Sequence, residues 1–324
     1  FTPEGLTAST VHLSALKLWL LNIPVSVPIG LDVGALFLGL WSIFALSFVA
    51  AWKLRENFHQ TIKESIVQPT RKLFSSCLFA MPILNSMTLI AVLAINSFQE
   101  AGGVPTGTPP MQGEPFLDFF EFSYAAVVEE VGFRLIPIGA FLIIYLFITK
   151  RKTVTFSLSQ KIKLFFTALL FPDKAKRMAG AKTVNEHGVR SGISLGEWGM
   201  VLFTSIVFGF AHFNPGVSWE IGKISSATFA GLVLGLSYLL YGIQASIIMH
   251  WFFNAYNDAF FLLSGLHPAA ASFAGGTVIF SVILGVLGWS TAAILVFRRL
   301  VRGIEKRGEN KQSQATSSLK ISPQ

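Results

Sequence analysis

In the run Val127-Val128-Glu129-Glu130-Val131-Gly132-Phe133-Arg134, two carboxylates are followed at helical spacing by a guanidinium, within an otherwise apolar stretch. Ionisable groups are costly in such a setting unless they meet partners, which makes them candidates for a functional centre. Two further apolar stretches carry polar side chains at the same spacing: Phe208 with His212, and His250 with Asn254, with Asp258 one turn beyond. Residues four apart share a helix face, so Glu130 can pair with Arg134, and His250 projects with Asn254. Glu129 lies about 100° around the helix from Glu130, so the two carboxylates need not share a task.

These residue types together suit hydrolysis. A carboxylate and an imidazole sharing a water can act as general base, while a second imidazole and an amide NH2 can donate to the oxyanion of a tetrahedral intermediate. Arg134 would hold Glu130 and fix the helix, leaving Glu129 for base work. No serine or cysteine stands out as an activated nucleophile, so attack by water is the simpler scheme. Each element also has a plainer reading: a structural ion pair for Glu130 and Arg134, a helix-bridging hydrogen bond for His212, packing for Phe133 and Phe208. The convergence of carboxylates, imidazoles and an amide on three apolar stretches favours the hydrolytic reading.

The elements that must position these groups are apolar helices. With 52% hydrophobic and 13% charged residues, the chain has about half the charge of a soluble domain. Seven confident spans are expected: 31–52, 73–98, 116–149, 197–213, 221–241, 243–264 and 273–297, with an eighth if residues 11–21 also cross. The third is too long for one straight crossing, and Pro137 should bend it just after the glutamate pair. The fold class is therefore all-α, a polytopic transmembrane helix bundle with a conical, cavity-containing core around the motif helices. Residues 1–30 form an interfacial or broken-span segment, 31–297 the transmembrane domain with its motif core at 116–264, and 298–324 a basic tail expected to be disordered. The chain opens at Phe1 rather than methionine, which leaves room for an upstream segment, and no signal peptide is read from it.

Net charge is +8, and the basic residues gather in two loops and the tail, whereas the Gly/Pro loop 99–115 carries Glu100 and Glu114 without lysine or arginine. By the positive-inside rule this sets the C-terminus in the cytoplasm of an integral cell-membrane protein. Lys161 to Phe171 reads as an amphipathic piece on the inner leaflet. Phosphate-binding glycine loops and basic-aromatic patches are absent, so no nucleic-acid partner is expected. The single Cys77 lies in an apolar segment, which removes disulfide frameworks and zinc-thiolate sites and leaves it as a buried hydrophobe. Gly231 and Gly235 have the spacing of close helix packing.

Glu129-Glu130-Val-Gly-Phe-Arg134, Phe208-xxx-His212 and His250-xxx-Asn254, in this order, resemble the three motifs of the CPBP/Abi family of intramembrane proteases, which includes the type II CAAX prenyl endopeptidases. The resemblance covers roughly residues 116–264. It implies that Glu129 and His212 activate the hydrolytic water, that His250 and Asn254 form the oxyanion site, and that Glu130 and Arg134 support the first helix. Some members of that family remove the last three residues after a prenylated cysteine, and others act on different peptides or serve in bacteriocin immunity. The expected partners are thus a peptide or protein substrate, prenylated in the CAAX case, and membrane lipid.

The family was long classed as metalloproteases. No HExxH element is present, and Asn254 is a poor zinc ligand, so metal-free glutamate catalysis is favoured and no cofactor is expected; a zinc site would draw on Glu129, His212 and His250. The competing reading is a non-enzymatic membrane protein, an immunity factor or proton-linked transporter, that uses the Glu/His/Arg cluster as a relay.

Overall fold

The structure, a computed structural model, describes residues 2–53, 58–65, 76–109, 113–150 and 157–319. It opens with α1 (Pro3–Ser9) and an antiparallel hairpin of β1 (His12–Leu20) and β2 (Ile23–Asp32). Each described element after it is helical: α2 (Val33–Lys53), α3 (Phe58–Ser65), α4 (Cys77–Ala101), α5 (Pro115–Glu130), a π-helical segment (Val131–Leu135) and α6 (Pro137–Lys150). Then follow α7 (Leu158–Leu170), α8 (Pro172–Met178), α9 (Val184–Gly192), α10 (Leu195–Ala211) and α11 (Lys223–Tyr241). The chain finishes with α12 (Ile243–Trp251), a second π segment (Phe252–Tyr256), α13 (Asn257–Leu266) and α14 (Ala271–Leu319). Arg55, Glu56, Arg71, Lys72 and the side chain of Asp258 lie outside the described residues.

The polytopic helical bundle is as expected, but its spans count differently. Among the described residues five helices are long and apolar enough to cross a membrane: α2, α4, the α5–α6 run, α11 and the first part of α14. A sixth arises if α9 and α10, bent by 71°, are counted together. Two of the seven expected spans therefore fall short. Helix α10 has 17 residues, and the 243–266 run is interrupted by its π segment and diluted by Gln244, His250, Asn254 and Asn257. Polar content is what an interior helix can carry when neighbours supply its partners, and α12 is buried along its whole length up to His250.

Within residues 1–30, expected as an interfacial or broken-span segment, the chain forms a short helix and a hairpin, so residues 11–21 are not a helical span. Leu16-Lys17-Leu18 and Val25-Ser26-Val27 alternate on either side of Leu21-Asn22. Those two residues take φ of 47° and 69°, as a two-residue hairpin turn of type I′ requires. A leucine in that conformation is strained, and its side chain packs against the cluster of Phe133, Phe208 and Ala227, which offsets the cost. In the tail, α14 continues to Leu319, so residues 298–319 extend a helix where composition suggested disorder; Arg, Lys, Glu and Gln there are strong helix formers.

The core lies where α2, α5, α6, α10, α11 and α12 meet, with Leu40, Phe120, Val127, Ile138, Val201 and Ile247 among its buried members. Helices α10 and α11 pack closely because glycines face them: a Cβ on Gly235 would touch Val201 at 3.0 Å, and one on Gly231 would touch the Ser205 Cα at 3.2 Å. On the basic side, α7 starts with a reciprocal Ser157/Gln160 capping box. Lys176 of α8 pairs with Glu197 of α10 at 2.8 Å, both buried, and also donates to the Gly192 carbonyl. Cys77 is buried with its sulfur 3.1 Å from that of Met81.

Candidate active site

The glutamate pair closes α5 and the chain then widens into the first π segment. Pro137 has no N–H to offer the carbonyl four residues back, so the turn before it re-registers and the Ile136 N–H donates to the Val131 carbonyl at 3.0 Å. The bend expected from Pro137 thus takes the form of a π insertion, and it falls on Gly132, Phe133 and Arg134. The His250 helix carries a second π segment close by, beginning at Phe252, two residues after its histidine. Such insertions re-aim side chains without ending the helix, and they recur at functional sites.

Arg134 reaches back to Glu130, its Nη1 donating to Oε1 at 2.8 Å, with both side chains essentially fully buried. Nη2 donates to the Gly231 carbonyl at 3.3 Å, and the guanidinium carbon sits 4.3 Å from the centre of the Phe208 ring. Gly231 therefore does more than admit a neighbouring helix; a Cβ there would meet the Phe208 ring at 3.1 Å and Arg134 Nη2 at 3.3 Å.

His250 stands between the two carboxylates. Its Nδ1 lies 2.7 Å from Glu130 Oε1 and its Nε2 3.5 Å from Glu129 Oε2. Glu130 accepts, so Nδ1 carries the proton, and Nε2 is directed at the second carboxylate. Glu129 Oε2 and Glu130 Oε2 are buried without a hydrogen-bond partner, and 3.5 Å is beyond a good hydrogen bond. The pair of Nε2 and Glu129 thus defines a place where a proton or a water can be held between acceptors.

His212 caps α10 and its Nδ1 donates to the Phe208 carbonyl at 2.8 Å, which leaves Nε2 free to accept. Phe208 ties it to the rest: its ring centre is 4.5 Å from that of His212, 5.7 Å from that of His250 and 5.2 Å from that of Phe133. Sequence alone gave Phe208 a packing role, and packing it is, but on both histidines and the arginine at once. His212 is within electrostatic range of Glu129. Asn254 lies in the second π segment, partly buried, one turn beyond His250 on the same run. The three stretches singled out in the sequence are thus brought to one centre, with Glu129, Glu130, Arg134 and His250 in contact and His212 joined to them through Phe208.

Two contributors were not read from the sequence. The β1 strand lies directly on the first π segment: a Cβ on Gly132 would collide with the Trp19 carbonyl oxygen. Its other tie is the Tyr124 hydroxyl, which donates to the Lys17 carbonyl at 2.7 Å. The signal was the apolar alternation on either side of Leu21-Asn22. The second is Lys223, in the first turn of α11, whose ammonium rests 3.6 Å from the centre of the Trp219 ring. Neither lysine nor tryptophan stands at motif spacing, so nothing local marked them.

Glu129, His212 and His250, the groups a zinc ion would draw on, keep Glu129 Oε2 and the histidine Nε2 atoms uncommitted by hydrogen bonds. Glu130 is held by Arg134 and His250, His250 uses Nδ1 toward Glu130, and His212 uses Nδ1 toward a carbonyl. Among the described residues, no group of three or more His, Cys, Asp or Glu side chains converges as a metal site would require.

With this geometry established, residues 114–256 match the family model described as "Type II CAAX prenyl endopeptidase Rce1-like". The matched segment runs from the residue before α5 to the end of the second π segment and takes in every residue of the centre. No curated protein and no solved structure matches the chain.

Proposed function

We propose that the chain, whose residues 114–256 match the type II CAAX prenyl endopeptidase model, is a membrane peptidase of that kind and that its glutamate–histidine centre hydrolyses a peptide bond by activating water. The observation that carries this reading is the Glu129–His250–Glu130–Arg134 array, in which one carboxylate is tied down and the other keeps a buried oxygen without a partner. Glu130 and Arg134 act as the fixed support. Glu129, with His212 beside it, takes a proton from water as its oxygen attacks the scissile carbonyl carbon. The resulting oxyanion accepts from the Asn254 amide and from His250, which donates through Nε2 as the doubly protonated ring held between the two carboxylates. Collapse of that intermediate breaks the C–N bond, and the proton held by Glu129 passes to the departing amine. No step calls on a metal.

A membrane-associated substrate tail, prenylated or otherwise lipidated, suits the surroundings. An apolar cleft of about 440 Å³ opens between α2, α5 and α12, lined by Phe37, Trp41, Phe44, Phe119 and Trp251. Trp251 directly follows His250 in the chain.

The test is cleavage of prenylated and unprenylated peptides by purified protein in detergent. Wild type should cut, and Glu129→Ala, His212→Ala and His250→Ala should each lower the rate at least about 100-fold while still folding. Chelator treatment should leave activity intact. Loss restored by zinc would overturn metal-free catalysis, and an active Glu129→Ala would overturn the base assignment.

A further inference from the structure

The centre contains a cation that the scheme above does not use. Lys223 begins α11 at the point where α11 packs against the end of α10, for a Cβ on Gly209 would collide with Thr228 and come within 2.6 Å of the Ile224 carbonyl. Gly209 is one turn before His212, so Lys223 stands beside the His212 end of the site, within electrostatic range of both His212 and Glu129. Arg134, the other cation, already pairs with Glu130. Lys223 has no ion-pair partner among the described residues; its ammonium lies on the face of Trp219.

That tryptophan is held in place by two loops. Trp219 bridges to Gly107, the Glu220 N–H donates to the Thr106 carbonyl at 3.1 Å and the Gly222 N–H to the Pro105 carbonyl at 2.8 Å. Gly107, at a φ of 76°, has no room for a side chain against Ser218. Two segments far apart in sequence are thus locked together where Trp219 meets Lys223. A partly buried ammonium on an aromatic face keeps N–H donors for an incoming anion, and it forms its strongest bonds with carboxylates.

A peptidase that removes a short C-terminal tail presents just such an anion. With a scissile carbonyl at Glu129, the terminal carboxylate of a three-residue leaving peptide reaches about 10 Å further in extended form. We propose that Lys223, seated on Trp219, binds the free C-terminal carboxylate of the substrate, so that the enzyme measures the distance from chain end to cleaved bond. This rests on the peptidase reading above and adds to it the group that selects a terminal over an internal bond. Lys223 is here a specificity residue, and the water-activating groups remain those already named.

The experiment compares two peptides identical except for a C-terminal free acid or carboxamide, cleaved by wild type, Lys223→Met and Lys223→Arg in detergent. Wild type should favour the acid by about tenfold or more in kcat/KM, chiefly through KM. Lys223→Met should lose that preference, cutting the acid no better than the amide, while Lys223→Arg should retain most of it. A merely structural lysine would lower both rates together and leave their ratio untouched. An unchanged ratio in Lys223→Met, or equal cleavage of both peptides by wild type, overturns the assignment while leaving the peptidase reading standing. No cleavage of either peptide by wild type overturns both.

Discussion

At the residue scale, Glu129 and Glu130 are neighbours in sequence with opposite surroundings. Glu130 is enclosed by Arg134 and His250, whereas Glu129 keeps a buried oxygen unpartnered and meets His250 only at 3.5 Å. The helical offset of adjacent residues is enough to fix one carboxylate and leave the other with an open oxygen. Because Glu130 has no water to fall back on, its cation is a large share of local stability. Arg134→Met should leave a buried carboxylate facing His250 alone and cost about 3–5 kcal/mol. A fall in the thermal midpoint of the detergent-solubilised protein, together with loss of cleavage, would register it; a midpoint within error of wild type would show that the pair is not what holds α5.

At the element scale, the two π segments and the hairpin shape the centre. The first π segment places Gly132 under the β1 backbone, and the strained Leu21 turn seats the hairpin tip on Phe133 and Phe208, the residues that carry Arg134 and His212. The hairpin is therefore a wall of the site. Gly132→Ala should push the Trp19 carbonyl away at a cost of at least about 1–3 kcal/mol. Hydrogen exchange over residues 12–20 is the direct readout. Faster exchange there with α14 unaffected is expected, and unchanged protection would mean that the strand does not bear on the helix.

At the scale of the whole molecule, five helices among the described residues are long and apolar enough to span, yet the three motif stretches use them unevenly. Only the α5–α6 run is both a strong span and a motif carrier, while α10 and α12 are short or polar and are shielded by others. This division follows from solvent: lipid-facing helices must be apolar throughout, and only interior ones can carry histidine, glutamine and asparagine. The charge distribution leads to the expectation that the α14 end faces the cytoplasm. Native Cys77 is buried, which lowers background for cysteine labelling. An impermeant maleimide should therefore react with Ser317→Cys in inside-out vesicles and not in right-side-out ones, and the reverse pattern would invert the topology.

The sequence by itself determined the membrane class, the three polar stretches and the Glu130–Arg134 pair, because each rests on local spacing and on the cost of charge in an apolar run. Tertiary structure decided that His250 lies between both carboxylates and that Phe208 links the two histidines. It also decided that residues 12–32 form a hairpin on the site and that Trp219 presents Lys223. Those relations join residues up to 120 positions apart, as His250 and Glu130 are, and no helical period links them. Hydropathy likewise reads each stretch alone, while the tolerance of α10 and α12 for polar groups depends on the helices packed around them.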